Sequence, residues 1–136
     1  MKKHQRNQAF TLTELLLVVA ILAIMAALVL PRFAGSTEKA RIAAAKTQIA
    51  NFSTALNRYE TDTGNYPRDL QSLLQAPGDA RGWSGPYMEG RTLPTDPWDN
   101  PYLYESPGKN NAYGFDLSSA GPDGRPGTDD DITNWE

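Results

Sequence analysis

FTLTELLLVVAILAIMAALVL, from Phe10 to Leu30, decides how the rest of the chain is read. From Leu15 to Leu30 it carries no polar side chain, and Pro31 follows directly. A soluble helix needs a polar face, and this run leaves none. Roughly 20 apolar residues, about 30 Å at 1.5 Å each, cross the hydrocarbon core of a bilayer, so the run is long enough for a membrane helix. A cleaved secretory signal would have a shorter core and a small-x-small cut site. Ala26 and Ala27 are small, but Leu28, Val29 and Leu30 prolong the run beyond them. Ahead of it, residues 1–9 hold Lys2, Lys3, His4 and Arg6 and no acid. Such a basic flank stays cytoplasmic while the remainder is exported.

Glu14 is out of place in this run. A carboxylate at the centre of a bilayer costs about 2.5–3.5 kcal/mol even on lenient scales. Either Glu14 lies shallow and hydrated among headgroups, or it meets a cation. The nearest cation would be a free amino group on Phe10, created by cutting the Ala9–Phe10 bond.

Beyond the run the composition changes. The chain has 136 residues and is 40% hydrophobic, but the aliphatic residues crowd the N-terminal third. Gly, Pro, Asp and aromatic residues dominate the C-terminal half. A small core of this kind needs a staple. With no cysteine, the staple is a metal or assembly. A net charge of -3 and a pI near 5.1 argue against a nucleic-acid partner. Catalysis finds little support. The one histidine is His4, so Ser118 and Ser119 have no imidazole in the exported part with which to build a triad. Asp96 and Asp99 flank Pro97-Trp98 and read as a turn rather than an acid–base pair. The chain is read as a non-enzyme.

Pro31 removes a helical hydrogen bond and is expected to kink the axis. Ile42, Ala45, Ile49, Phe52, Leu56 and Tyr59 then recur at spacings of three and four, one face of an amphipathic helix. The same stripe would suit a coiled-coil seam; packing on its own domain is the preferred reading. Gly64 should stop the helix. A short helix is expected after Pro67 with Leu70, Leu73 and Leu74 inward, then loop from Asp79 to Pro97 pinned by Trp83, Tyr87 and Leu93. Tyr102–Tyr104 and Ala112–Leu117 read as an antiparallel hairpin, and Ile132–Trp135 as a third strand or a segment packed on the long helix. The fold class is α+β.

SSAGPDGRPGTDDDITNW places Asp123, Asp129, Asp130 and Asp131 in a glycine-rich loop. Carboxylates this close repel one another unless a cation neutralises them, and hard cations take carboxylate and carbonyl oxygens from such loops. The spacing is not that of an EF-hand. From the residues alone, calcium and a solvated acidic turn stand as equal alternatives.

AFTLTELLLVVAIL resembles the processing site of type IV pilins and pseudopilins. The resemblance implies a prepilin peptidase that cuts between Ala9 and Phe10, N-methylation of Phe10, and an assembly role for Glu14, the fifth mature residue, against a neighbour's amino terminus. Ala9 stands where the family usually has Gly, and Thr13 where an apolar residue is common. DPWDNPYLYESPG and YGFDLSSAGPDGRPGTDDDITNW are similar to the C-terminal half of major pseudopilins of type II secretion systems. That resemblance implies a type IV pilin-like fold, a long N-terminal helix on a small antiparallel sheet with a C-terminal calcium loop. Its ligands would be Asp123, Asp130 and Asp131 through side chains and Ala120 and Thr128 through backbone oxygens, with Asp129 leaving the register of the pair open by one. It further implies a leader at 1–9, a transmembrane or filament-core segment at 10–30 and a periplasmic domain at 31–136. Expected partners are further copies in a helical filament, minor pseudopilins, prepilin peptidase, the inner-membrane secretion platform and, before assembly, lipid. The alternative is a type IV pilin for surface adhesion, motility or DNA uptake; the acidic loop and the lack of a C-terminal cysteine pair favour the secretion subunit.

Overall fold

The computed structural model describes residues 10–136, with side chains for all of these except 29–36. The expected leader, Ala9 within it, and the side chain of Pro31 lie outside the described residues. Helix α1 runs without interruption over Leu12–Thr63. The chain divides into two compact units after Glu38, with Pro31–Glu38 in the first and Lys39–Glu136 forming the second.

The second unit is built on the apolar stripe of α1. Ala45, Ile49, Phe52, Leu56 and Tyr59 are buried and Ile42 is half-buried, which assigns the stripe to this chain's own core rather than to a coiled-coil seam. Thr47, Ser53, Thr54, Thr61 and Thr63 donate their hydroxyls to carbonyls one turn back, so these poor helix formers are satisfied within the helix. Gly64 ends it at φ 87°, its N–H donating to the Glu60 carbonyl at 2.7 Å. The expected short helix is a single 3-10 turn, Leu70–Leu73. It is capped by Asp69, whose carboxylate accepts from the Ser72 N–H and hydroxyl, rather than started by Pro67.

Strands β1 (Leu103–Glu105), β2 (Asp116–Ser119) and β3 (Ile132–Thr133) form one antiparallel sheet in the order β1-β2-β3. Leu103 lies opposite Ser118, and Ser119 opposite Ile132. The second strand starts four residues later than the alternating pattern from Ala112 suggests. Asp116 causes this. Its carboxylate accepts from the Asn110 N–H and side chain and from the Asn111 N–H at 2.8–2.9 Å, which wraps the preceding segment into a turn instead of a ladder. Beyond β3, Asn134 continues the pairing with its side chain as well as its backbone. Its Oδ1 accepts from Leu117 N–H, its Nδ2 donates to the Phe115 carbonyl, and its own N–H donates to the Leu117 carbonyl.

Phe52 meets Tyr102 edge-on at 5.2 Å between ring centroids, and Tyr66 meets Phe115 at 5.1 Å, so helix, sheet and turn share one aromatic core. The loop after residue 78 is pinned as its aromatics suggest. Trp83 Nε1 donates to the Ser72 carbonyl, Tyr87 N–H to the Leu73 carbonyl, and Ser84 and Tyr87 hydroxyls to Asp62 on α1. Those hydroxyl bonds, Ser84's first, hold the Asp62 carboxyl below its ordinary pKa.

Candidate functional site

Two places carry the residues singled out by the sequence, the start of α1 and the acidic loop before β3.

At the start of α1, Thr11 is the N-cap and Glu14 the third helical residue. Thr11 N–H and Oγ1 both donate to Glu14 Oε2 at 2.9 Å, and Glu14 N–H donates back to Thr11 Oγ1 at 3.2 Å. This is a reciprocal capping box. Neither hydration nor a cation is thus needed to give Glu14 partners: within a single chain its carboxylate already accepts two hydrogen bonds. The sequence signature, Thr-x-x-Glu ahead of an apolar run, was present in TLTE. From Phe10 to Leu28 every side chain is exposed, Phe10 at 79%. Among the described residues no helix is long and apolar enough to cross a membrane; described side chains of the apolar run end at Leu28, short of Leu30.

The acidic loop is closed on itself. Gly121, Gly124 and Gly127 all take positive φ and let the chain double back. Gly121 has no room for a side chain, since a Cβ there would lie 2.2 Å from the Asp130 carbonyl oxygen. Asp123 N–H donates to Asp130 Oδ2, Arg125 N–H to Asp123 Oδ1, and Gly127 N–H to Asp131 Oδ2. The Thr128 hydroxyl sits at the centre. It is 2.6 Å from Asp130 Oδ1, 3.0 Å from the Arg125 carbonyl, 3.4 Å from Asp123 Oδ1 and 3.5 Å from Asp131 Oδ1. One hydroxyl has one proton, so four acceptor oxygens crowd a single donor. Thr128 and the Asp123 N–H hold the Asp130 carboxyl below its usual range.

Of the expected ligand set, Asp123, Asp130 and Asp131 are thus brought together, and Thr128 is with them. Thr128's backbone oxygen already accepts from Asp131 N–H at 3.2 Å. Ala120 is buried immediately after β2. Asp129 makes none of these bonds. It is exposed and lines, with Asp130, Asp131, Lys46 of α1 and Glu136, a recess of about 260 Å³. The donors fit a hard cation in kind, being carboxylate, hydroxyl and carbonyl oxygens. Among the described residues, however, no three His, Cys, Asp or Glu side chains stand as a ready-made metal cluster. Asp123, Asp130 and Asp131 converge on the Thr128 hydroxyl.

A capped, apolar helix start joined to a small sheet and a doubled-back loop defines the pilin-like class, and comparison with known proteins bears this out. The model of the prokaryotic N-terminal methylation motif matches residues 4–30, and that of type II secretion system protein G matches residues 32–135. The chain belongs to the type II secretion system protein G family, and is a structural pseudopilin subunit rather than an enzyme. It is 41% identical to type II secretion system core protein G of Escherichia coli K12, over 99% of this chain and 95% of that protein. It is 38% identical to the core protein G of Pseudomonas aeruginosa, over 98% and 99%. The crystal structure of the major pseudopilin from enterohaemorrhagic Escherichia coli superposes with a TM-score of 0.63 at 31% identity, covering 74% of this chain and 87% of that one.

Proposed function

We propose that this chain is made as a precursor, cut between Ala9 and Phe10, methylated on the new amino group of Phe10, and assembled as the major subunit of a periplasmic filament that drives proteins out through a type II secretion system. The carrying observation is that the methylation motif and the protein G family together account for nearly the whole chain, with only Pro31 between them. Before assembly Phe10–Leu30 holds the subunit in the inner membrane, N-terminus cytoplasmic and domain periplasmic. Afterwards the same apolar surface packs against other copies. The exposure of every described side chain from Phe10 to Leu28 supports this, because among the described residues nothing covers them. A carboxylate has room for more than two hydrogen bonds, so Glu14 can take a neighbour's Phe10 amine without releasing Thr11. Prepilin peptidase, minor pseudopilins and the secretion platform are the partners this route requires.

Calcium belongs to the same reading. Asp123, Asp130 and Asp131, with backbone oxygens of Ala120 and Thr128, would hold it. A bound calcium ion supplies the positive charge that lets these oxygens stand together. The crowding of acceptors around one Thr128 proton supports this assignment. The chain's own contribution is to close the loop at Gly121 and to seat it against β2 and β3.

Mass spectrometry of the mature N-terminus tests the processing route. A terminal peptide beginning at N-methylated Phe10 is expected; a chain that keeps residues 1–9 in cells assembling filaments would overturn it.

A further inference from the structure

Asp96 lies far from the acidic loop in sequence, and the turn assigned to it accounts for two of the three hydrogen bonds its carboxylate accepts. It is 3% exposed. Oδ1 accepts from the N–H groups of Trp98 and Asn100 at 3.0 and 2.8 Å, which is the turn. Oδ2 accepts from the hydroxyl of Ser119 at 2.6 Å. Ser119 is wholly buried and ends β2, and its Oγ in turn accepts from the N–H of Gly121 at 3.2 Å.

The order of these bonds matters. A serine hydroxyl has one proton and two lone pairs. Asp96 takes the proton, so a lone pair is left for Gly121. The Gly121 N–H belongs to the same planar peptide unit as the Ala120 carbonyl, and in a trans unit the two point in opposite directions. Fixing one therefore aims the other. We infer that Asp96 is a positioning residue for the acidic loop: through Ser119 and Gly121 it sets the direction of the Ala120 carbonyl, a proposed calcium ligand. This rests on the calcium reading given above.

Asp96→Asn isolates the effect. The amide keeps Oδ1 for the turn but replaces Oδ2 with a donor, which cannot take the Ser119 proton. Three readouts on the full chain in detergent separate the outcomes. Calcium titration should show affinity about tenfold weaker in Asp96→Asn, the low end for partners that stand behind metal ligands. Amide exchange at Gly121, measured without calcium, should be faster than in wild type. Ser119→Ala should produce the same two changes, and combining it with Asp96→Asn should add little. Asp116→Asn, a change at a buried carboxylate bonded elsewhere, serves as the control and should leave calcium affinity unchanged. Equal weakening in the control, or unaltered Gly121 exchange in both relay variants, overturns the inference. A wild-type chain that binds no calcium sinks the calcium reading and Asp96's role toward the ion with it, while Gly121 exchange still reports whether the relay itself exists.

Discussion

The two ends of α1 spend their apolar residues differently. From Ala45 to Tyr59 all but Ala50 fall on one face and are buried by the chain's own sheet, turn and loop. From Leu15 to Leu28 they occur all round the helix and every one is exposed. One end has completed its packing within a single chain. The other leaves its apolar side chains uncovered among the described residues. The lesson is that the period of the pattern, more than its hydrophobicity, separates a core helix from an assembly helix.

The largest expected effect breaks the comparison at its exposed end. Glu14→Ala should leave membrane insertion and cutting intact yet abolish filaments, read as a cut subunit on immunoblot with an empty sheared-filament fraction. Abundant normal filaments would refute the amine pairing. At the buried end, Phe52→Ala should destabilise the second unit by about 3–5 kcal/mol, since Phe52 is fully buried against Tyr102. Leu22→Ala on the exposed length should shift the same denaturant curve by no more than about 0.5 kcal/mol. Equal effects would erase the distinction between the two ends.

A smaller effect concerns the loop. Calcium at a hundredfold excess over its dissociation constant contributes about 2.7 kcal/mol, or on the order of ten degrees in a domain of this size. Chelation should lower the melting temperature of the second unit by that amount, and an unchanged melt would sink the calcium assignment. The smallest effect is at Asp116. Burial pushes its pKa up, but the N–H groups of Asn110, Asn111 and Lys109 and the Asn110 side chain outweigh this and leave it lowered. Its contribution is full above the unfolded value of about 3.9 and is lost as pH falls through the lower folded value. In chelator, Asp116→Asn should therefore be less stable than wild type at pH 6 and lose less on acidification to pH 3. Parallel melting curves would assign the acid sensitivity to other carboxylates.

Periodicity made the helix legible, and turn residues made the hairpin and the long loop legible. Strand limits moved where a side chain competed with the ladder, as Asp116 does for the N–H groups before β2. Asp96 was recognisable as a turn residue. Its bond to Ser119 spans 23 residues and leaves no local trace. Thr128 is expected from sequence to act through its backbone; its central hydroxyl has no signature there, because a threonine amid aspartates carries no pattern of its own. The Thr11–Glu14 box, by contrast, was written in the sequence and required only the capping rule.

Asn134 has one further consequence. By offering a side-chain acceptor and donor to β2, it finishes the sheet with an amide that is not part of any strand. β3 itself is two residues long. An edge this short gives an incoming chain almost no backbone to copy, so polymerisation by strand addition, the route to cross-β fibres, is discouraged. A protein whose work is to polymerise has thus blunted this edge of its sheet against strand addition, and the opposite edge, β1, is only three residues long.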